Sequence, residues 1–202
     1  MSIREAMQQA GVPFERLNTI IVTHQDLDHI GSLPVMLKEA PQKVEVLANE
    51  IEKPFIQGDQ RPLKLTPQAI AQAVAALPAE MPEEARQAFQ ARLENPPRAA
   101  VDKTVADGEE LPYCGGITVI NTPGHTPGHI CLYHRQSKTL IAGDALRVVD
   151  GQLQGPSQQA TLDMPLALES LKKLARYDIE TVICYHGGLY RGEANQRLAA
   201  LT

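Results

Sequence analysis

Five of the six histidines in this 202-residue chain come just after short aliphatic, β-branched runs. His24 and His29 lie in His24-Gln25-Asp26-Leu27-Asp28-His29, directly after Ile20-Ile21-Val22-Thr23. His125 and His129 lie in Thr122-Pro123-Gly124-His125-Thr126-Pro127-Gly128-His129, after Ile117 to Ile120. His186-Gly187-Gly188 follows Val182 to Tyr185, and Gly143-Asp144 follows Leu140-Ile141-Ala142. Runs of this kind read as buried strands. Strand ends on one side of a sheet converge, so these loops can meet at one place.

The residue types in those loops suit a metal. Neutral imidazoles and carboxylates are natural ligands of Zn, Fe, Mn and Co. Four such groups in the hexapeptide from His24 to His29 would, without an ion, repel one another and be poorly solvated. Alternate residues of so dense a turn point to different sides and can serve two ions. The candidate ligands are His24, Asp26, Asp28, His29, His125, Asp144 and His186. His129 reads as a further ligand or, the favoured reading, as a partner that hydrogen-bonds to and orients His125. His134 belongs to no cluster and reads as structural.

Cys114, Cys131 and Cys184 are odd in number and widely spaced, with neither a disulfide framework nor a CxxC zinc pattern. They read as reduced, buried thiols of a cytoplasmic protein. No Ser–His–Asp or cysteine nucleophile motif competes, because Cys184 and its strand neighbours point to opposite faces. A net charge of -5 argues against a nucleic-acid partner, which needs clustered Lys and Arg. No apolar run approaches the ~20 residues of a membrane span, and the first residues lack a signal-peptide core.

Strand candidates at Asn18 to Thr23, Lys43 to Ala48, Ile117 to Asn121, Ile130 to His134, Thr139 to Ala142 and Thr181 to Cys184 alternate with helical patterns. Ser2 to Gly11, Ile30 to Ala40, Asp163 to Arg176 and Glu193 to Leu201 read as helices, the third with an apolar face of Leu166, Leu168, Leu171, Leu174 and Ala175. That alternation predicts an α/β layered fold in one domain, residues 1–202. Residues 51–97, rich in Ala, Gln, Glu and Pro, predict a helical insertion covering the site, with helices at Thr66 to Leu77 and Pro82 to Leu93.

The four motifs together resemble the metallo-β-lactamase fold hydrolases. The resemblance rests on Thr23 to Gly31, Gly124 to His129, Gly143-Asp144 and His186, in that order and at similar spacing. It implies an αββα sandwich with a dinuclear site along one edge of the two sheets. His24 and His125 would bind the first ion, Asp28, His29 and His186 the second, and Asp144 would bridge them. The family's common first motif is HxHxDH. Here Asp26 takes the second ligand position, an HxDxDH variant that adds negative charge and a harder donor. Family members also carry several strands before the first motif, where this chain has 23 residues that read mostly as helix. The resemblance thus implies a truncated chain, a start placed too late or a first sheet built differently, and a sheet lacking its first strands would be unstable or would pair with another copy as a homo-oligomer.

The activity implied is metal-dependent hydrolysis, with two divalent transition-metal ions, Zn favoured and Mn or Fe open. A metal-bridged hydroxide would attack a small-molecule substrate, a lactone or thioester being favoured. Asp28 would orient the hydroxide and pass on a proton. Two other readings stand beside it: a catalytically impaired metal-binding or assembly protein, and an iron-dependent sulfur oxidoreductase on the same fold. Tyr113 and Tyr190 read as packing residues.

Overall fold

The computed structural model describes residues 2–202, whose backbone groups into two compact units. One comprises the chain up to Leu47 with Lys53–Lys103, and the other Ala48–Glu52 with Thr104–Thr202.

The first unit opens with α1 (Ile3–Gln9). Ser2 Oγ accepts the Glu5 N–H at 3.2 Å, and the Glu5 carboxylate accepts the Ser2 N–H at 2.7 Å. This reciprocal capping box contributes about 1 kcal/mol. β1 (Thr19–Val22) follows, and the turn after it leads into α2 (Leu27–Ile30) and α3 (Leu33–Glu39). The one helix expected from Ile30 to Ala40 is thus two short ones. The break falls at Gly31-Ser32, and helix already starts within the acidic motif. β2 (Glu45–Asn49) comes next, then α4 (Lys53–Ile56), α5 (Pro67–Ala75) and α6 (Glu83–Glu94). Thr66 caps α5 and Pro67 takes its first turn, where a missing N–H costs nothing. β3 (Lys103–Val105) completes a three-stranded sheet in the order β1-β2-β3.

The second unit is built on a six-stranded sheet. Its strands are β4 (Glu110–Leu111), β5 (Ile117–Asn121), β6 (Ile130–His134), β7 (Thr139–Gly143), β10 (Thr181–Cys184) and β11 (Gly188–Arg191). They lie in the order β11-β10-β7-β6-β5-β4. β7 and β10 are parallel, and the other pairs are antiparallel. Parallel neighbours need a long crossover. It holds the hairpin β8 (Arg147–Val149) to β9 (Gln152–Gln154) and α7 (Met164–Leu174). The last helix is α8 (Ala194–Leu201). Leu140, Leu146, Leu153, Leu171, Leu174, Val182 and Leu198 are fully buried in one core. Each such side chain is worth about 1.5–3 kcal/mol of transfer from water.

Three expectations need correction. On α7 the buried positions are Ala167, Ser170, Leu171 and Leu174, while Leu166 is 41% and Leu168 37% exposed. Position i, i+3, i+4, i+7 selects the face, and that register runs through small residues that a count of leucines passes over. The strand Thr181–Cys184 is half-buried, with Ile183 41% exposed and Val182 fully inside. It is also not the last, since Gly187 and Gly188 turn the chain back into β11 at positive φ. Cys114 is exposed, at φ +52 in a tight turn, whereas Cys131 and Cys184 are buried as expected.

Candidate metal centre

In the first unit the turn after β1 carries the first motif. His24 and Gln25 are fully buried, and Asp26 is the N-cap of α2. The α2 backbone bonds His29 N–H and Ile30 N–H to Asp26 O, at 2.9 and 3.1 Å. This one tight turn brings His29 back onto His24, with ring centroids 4.0 Å apart. The Thr23 hydroxyl faces the Nδ1 atoms of both rings, at 3.1 Å from His24 and 3.4 Å from His29. Both Nε2 atoms face carboxylates: His24 Nε2 lies 3.4 Å from Asp26 Oδ2, and His29 Nε2 lies 3.8 Å from Asp28 Oδ2.

The segment from residue 51 to 97 also reaches this turn. Lys64 Nζ donates to Asp26 Oδ2 at 2.5 Å, and Leu63 N–H donates to Gln25 Oε1 at 2.7 Å. A Cβ on Gly31 would meet Leu27 O at 2.6 Å and the Arg92 guanidinium at 3.1 Å. Sequence reasoning missed Lys64. The added charge of Asp26 was the available signal, since a buried carboxylate calls for a cation.

In the second unit three strand ends carry the other groups. His125 and His129 lie on the loop from β5 to β6, Asp144 follows β7, and His186 follows β10. The side chains of His125 and Asp144 are 1% and 7% exposed, while that of His186 is 57% exposed. Asp144 Oδ2 lies 3.3 Å from His125 Nε2 and 3.4 Å from His186 Nε2, so one oxygen faces both rings. His125 Nδ1 faces Thr161 Oγ1 at 3.4 Å.

His129 has a different role from the one expected. Its Nε2 accepts the Asp144 backbone N–H at 3.0 Å, so the neutral ring carries its proton on Nδ1 and donates it to Thr122 Oγ1 at 2.8 Å. His129 thus fixes the Asp144 backbone, and its ring meets that of His125 edge to face at 5.8 Å. Glu52, fully buried, accepts the Gly128 N–H at 2.7 Å and tethers the same loop. A Cβ on Gly128 would sit within 2.9 Å of Asn49, Ile51 and Glu52, so only glycine fits. α7 grips the other end of the loop. Gly124 O accepts the Asp163 N–H at 2.9 Å, and Pro123 O accepts the Ser170 hydroxyl at 2.7 Å.

The donor set fits metal ions. Good N–H···O bonds are about 2.7–3.2 Å long, shorter than all four of these His–Asp separations. Two ligand atoms about 2.1 Å from one tetrahedral ion lie about 3.4 Å apart. Three of the four separations match that spacing. Burial pushes the Cys184 thiol up to about 12, and the charge of Asp144 adds to the shift. Cys184 therefore stays protonated beside the site and supplies no nucleophile.

A mixed α/β chain with histidine and aspartate at successive strand ends defines a class of metal-binding hydrolase folds. Residues 1–186 match the metallo-beta-lactamase superfamily, and the chain belongs to it. A probable metallo-hydrolase of Bacillus subtilis (strain 168), YflN, is 31% identical over 92% of this chain and 69% of its own length. A hydroxyacylglutathione hydrolase of Rhizobium meliloti is 43% identical over 47 residues, 23% of this chain and 18% of that protein. The crystal structure of a metallo-beta-lactamase family protein from Thermus thermophilus superposes with a TM-score of 0.64 at 27% identity. That match covers 98% of this chain and 64% of the other, so the chain spans less than two thirds of that relative.

Proposed function

We propose that this chain is a metal-dependent hydrolase of small carbonyl esters, thioesters being favoured, with two divalent transition-metal ions, Zn favoured. His24, Asp26 and His125 would hold one ion, Asp28, His29 and His186 the other, and Asp144 both. The observation that carries this reading is Asp144 Oδ2, which faces two imidazole Nε2 atoms at 3.3 and 3.4 Å. An oxygen so placed suits a carboxylate shared between two cations.

When bound, such ions lower the pKa of water and polarise a carbonyl oxygen. The chain's own groups do the rest. Thr23 and Thr161 face the Nδ1 atoms of His24, His29 and His125, which turns Nε2 toward the carboxylates. His129 and Glu52 hold the backbone of Asp144 and Gly128. Lys64 balances the charge that Asp26 adds. Asp28, 45% exposed in its side chain, is the carboxylate open enough to exchange a proton with substrate.

The likeness to a hydroxyacylglutathione hydrolase supports a thioester over a lactone, although it covers 23% of this chain. The test is hydrolysis of a panel of thioesters, lactones and aryl phosphodiesters by protein reconstituted with Zn, Mn or Fe. Thioester turnover that is lost on chelation and restored by metal is the expected result. Metal uptake without turnover of any member would favour a binding or assembly role.

A further inference from the structure

We propose that Lys64 makes the two ion sites unequal, so that the ion held by His24 and Asp26 binds about tenfold or more weakly than the ion held by Asp28 and His29. The inference rests on the two-ion reading above and goes beyond it by ranking the sites. Lys64 belongs to a short strap, residues 61–65, within the first unit. Arg61 fastens the strap to the end of α6, donating to Glu94 O at 2.9 Å. The strap then reaches the turn after β1 twice. Leu63 N–H donates to the fully buried Gln25 at 2.7 Å, and Lys64 Nζ donates to Asp26 Oδ2 at 2.5 Å. The side chains of Lys64 and Asp26 are 22% and 15% exposed, so water screens this pair poorly.

The oxygen that takes the ammonium is also the one that faces His24. Asp26 Oδ2 lies 3.4 Å from His24 Nε2, the spacing of about 3.4 Å expected for two ligands on one tetrahedral ion. Asp26 is the N-cap of α2, but its carboxylate makes no capping bond and turns to His24 and Lys64 instead. An ion on that oxygen would stand at most about 5 Å from the ammonium. At that range a double and a single positive charge repel by about tenfold or more in affinity, even at the dielectric of water.

A lysine could also help an ion by orienting its carboxylate ligand. Here the backbone already fixes the place of Asp26, whose carbonyl accepts the His29 and Ile30 N–H groups at 2.9 and 3.1 Å. Repulsion therefore outweighs orientation. Asp28 is 45% exposed in its side chain, so water damps the reach of Lys64 to the second ion. A chain built in this way holds one ion firmly and exchanges the other with the surrounding metal pool.

Zinc titration of the metal-free full chain against a chromophoric chelator tests this without any turnover. The wild type should show two steps separated by about tenfold or more. Asp26→Asn should loosen the weaker step, which assigns it. Lys64→Met should tighten that step about tenfold or more and leave the other within about threefold. Lys64→Arg keeps the charge and should keep the gap. Lys172→Met makes the same charge change on an exposed part of α7 and should move neither step. Should Lys64→Met not fold, the wild-type gap and its assignment still decide. Equal steps in the wild type, or a weaker step that Lys64→Met leaves unchanged or loosens, overturn the proposal and leave the hydrolase reading standing. A wild-type chain that takes up fewer than two zinc ions removes both.

Discussion

Asp144 and His129 divide the work at the scale of single residues. Asp144 offers one oxygen to two imidazoles, and His129 holds the Asp144 backbone from behind. Asp144→Ala should therefore abolish metal retention, while His129→Ala should lower metal affinity or activity about 10–100-fold. Equilibrium dialysis with zinc compares the two; an equal or larger loss in His129→Ala would mean the roles are exchanged. The types of these residues were legible in the sequence, because histidine and aspartate after apolar strands have few other uses. Their neighbours were not. Lys64 is 38 positions from Asp26, and Glu52 is 76 from Gly128. Such partners are set by tertiary packing and leave no local pattern. The cysteines give a second residue-scale check. Burial raises Cys131 and Cys184 to about 12, so both remain protonated and shielded, whereas Cys114 is exposed. Ellman's reagent at pH 8 should titrate one thiol in the folded protein and all three in denaturant. Two or three fast thiols in the folded protein would contradict the burial.

Secondary-structure elements were read best where the pattern was long and one-sided. β5, β6 and β7 lie within a residue or two of the sequence reading, because their apolar runs are bounded by turn residues, and α6 does so because Pro82 and Asn95-Pro96 mark its two ends. The hairpin β8 to β9 was missed, although Asp150-Gly151 is a strong turn signal. Both residues have the positive φ of a type I′ turn, at +50 and +72. The two- and three-residue strands β3 and β4 are too short to carry any period. α7 shows how an element serves the site, since its N-terminal turn packs on Gly124 and holds the His125 loop. Gly124 has φ +130, and a Cβ there would lie 2.3 Å from Ala167 N. Gly124→Ala adds backbone strain to a clash with helix backbone, so it should destabilise the fold by about 2 kcal/mol or more. Urea unfolding measures this; a change under about 0.5 kcal/mol would show that α7 yields easily.

For the whole molecule, the order of the four motifs was enough to reach the superfamily, since each motif follows its own strand. The division of the backbone into two compact units follows the composition shift at residues 51–97 only in part, since the first unit also takes the chain up to Leu47 and the second takes Ala48–Glu52 from between its two segments. Among the described residues no helix is long and apolar enough to cross a membrane. The central claim of the proposed function, that each chain holds two metal ions, meets its most direct test in metal content per chain. Elemental analysis of the protein, as purified and after reconstitution with Zn, Mn or Fe followed by desalting, should approach two ions per chain. The same analysis on Asp144→Ala should approach none. A wild-type chain that retains no metal after reconstitution with any of the three would contradict the account.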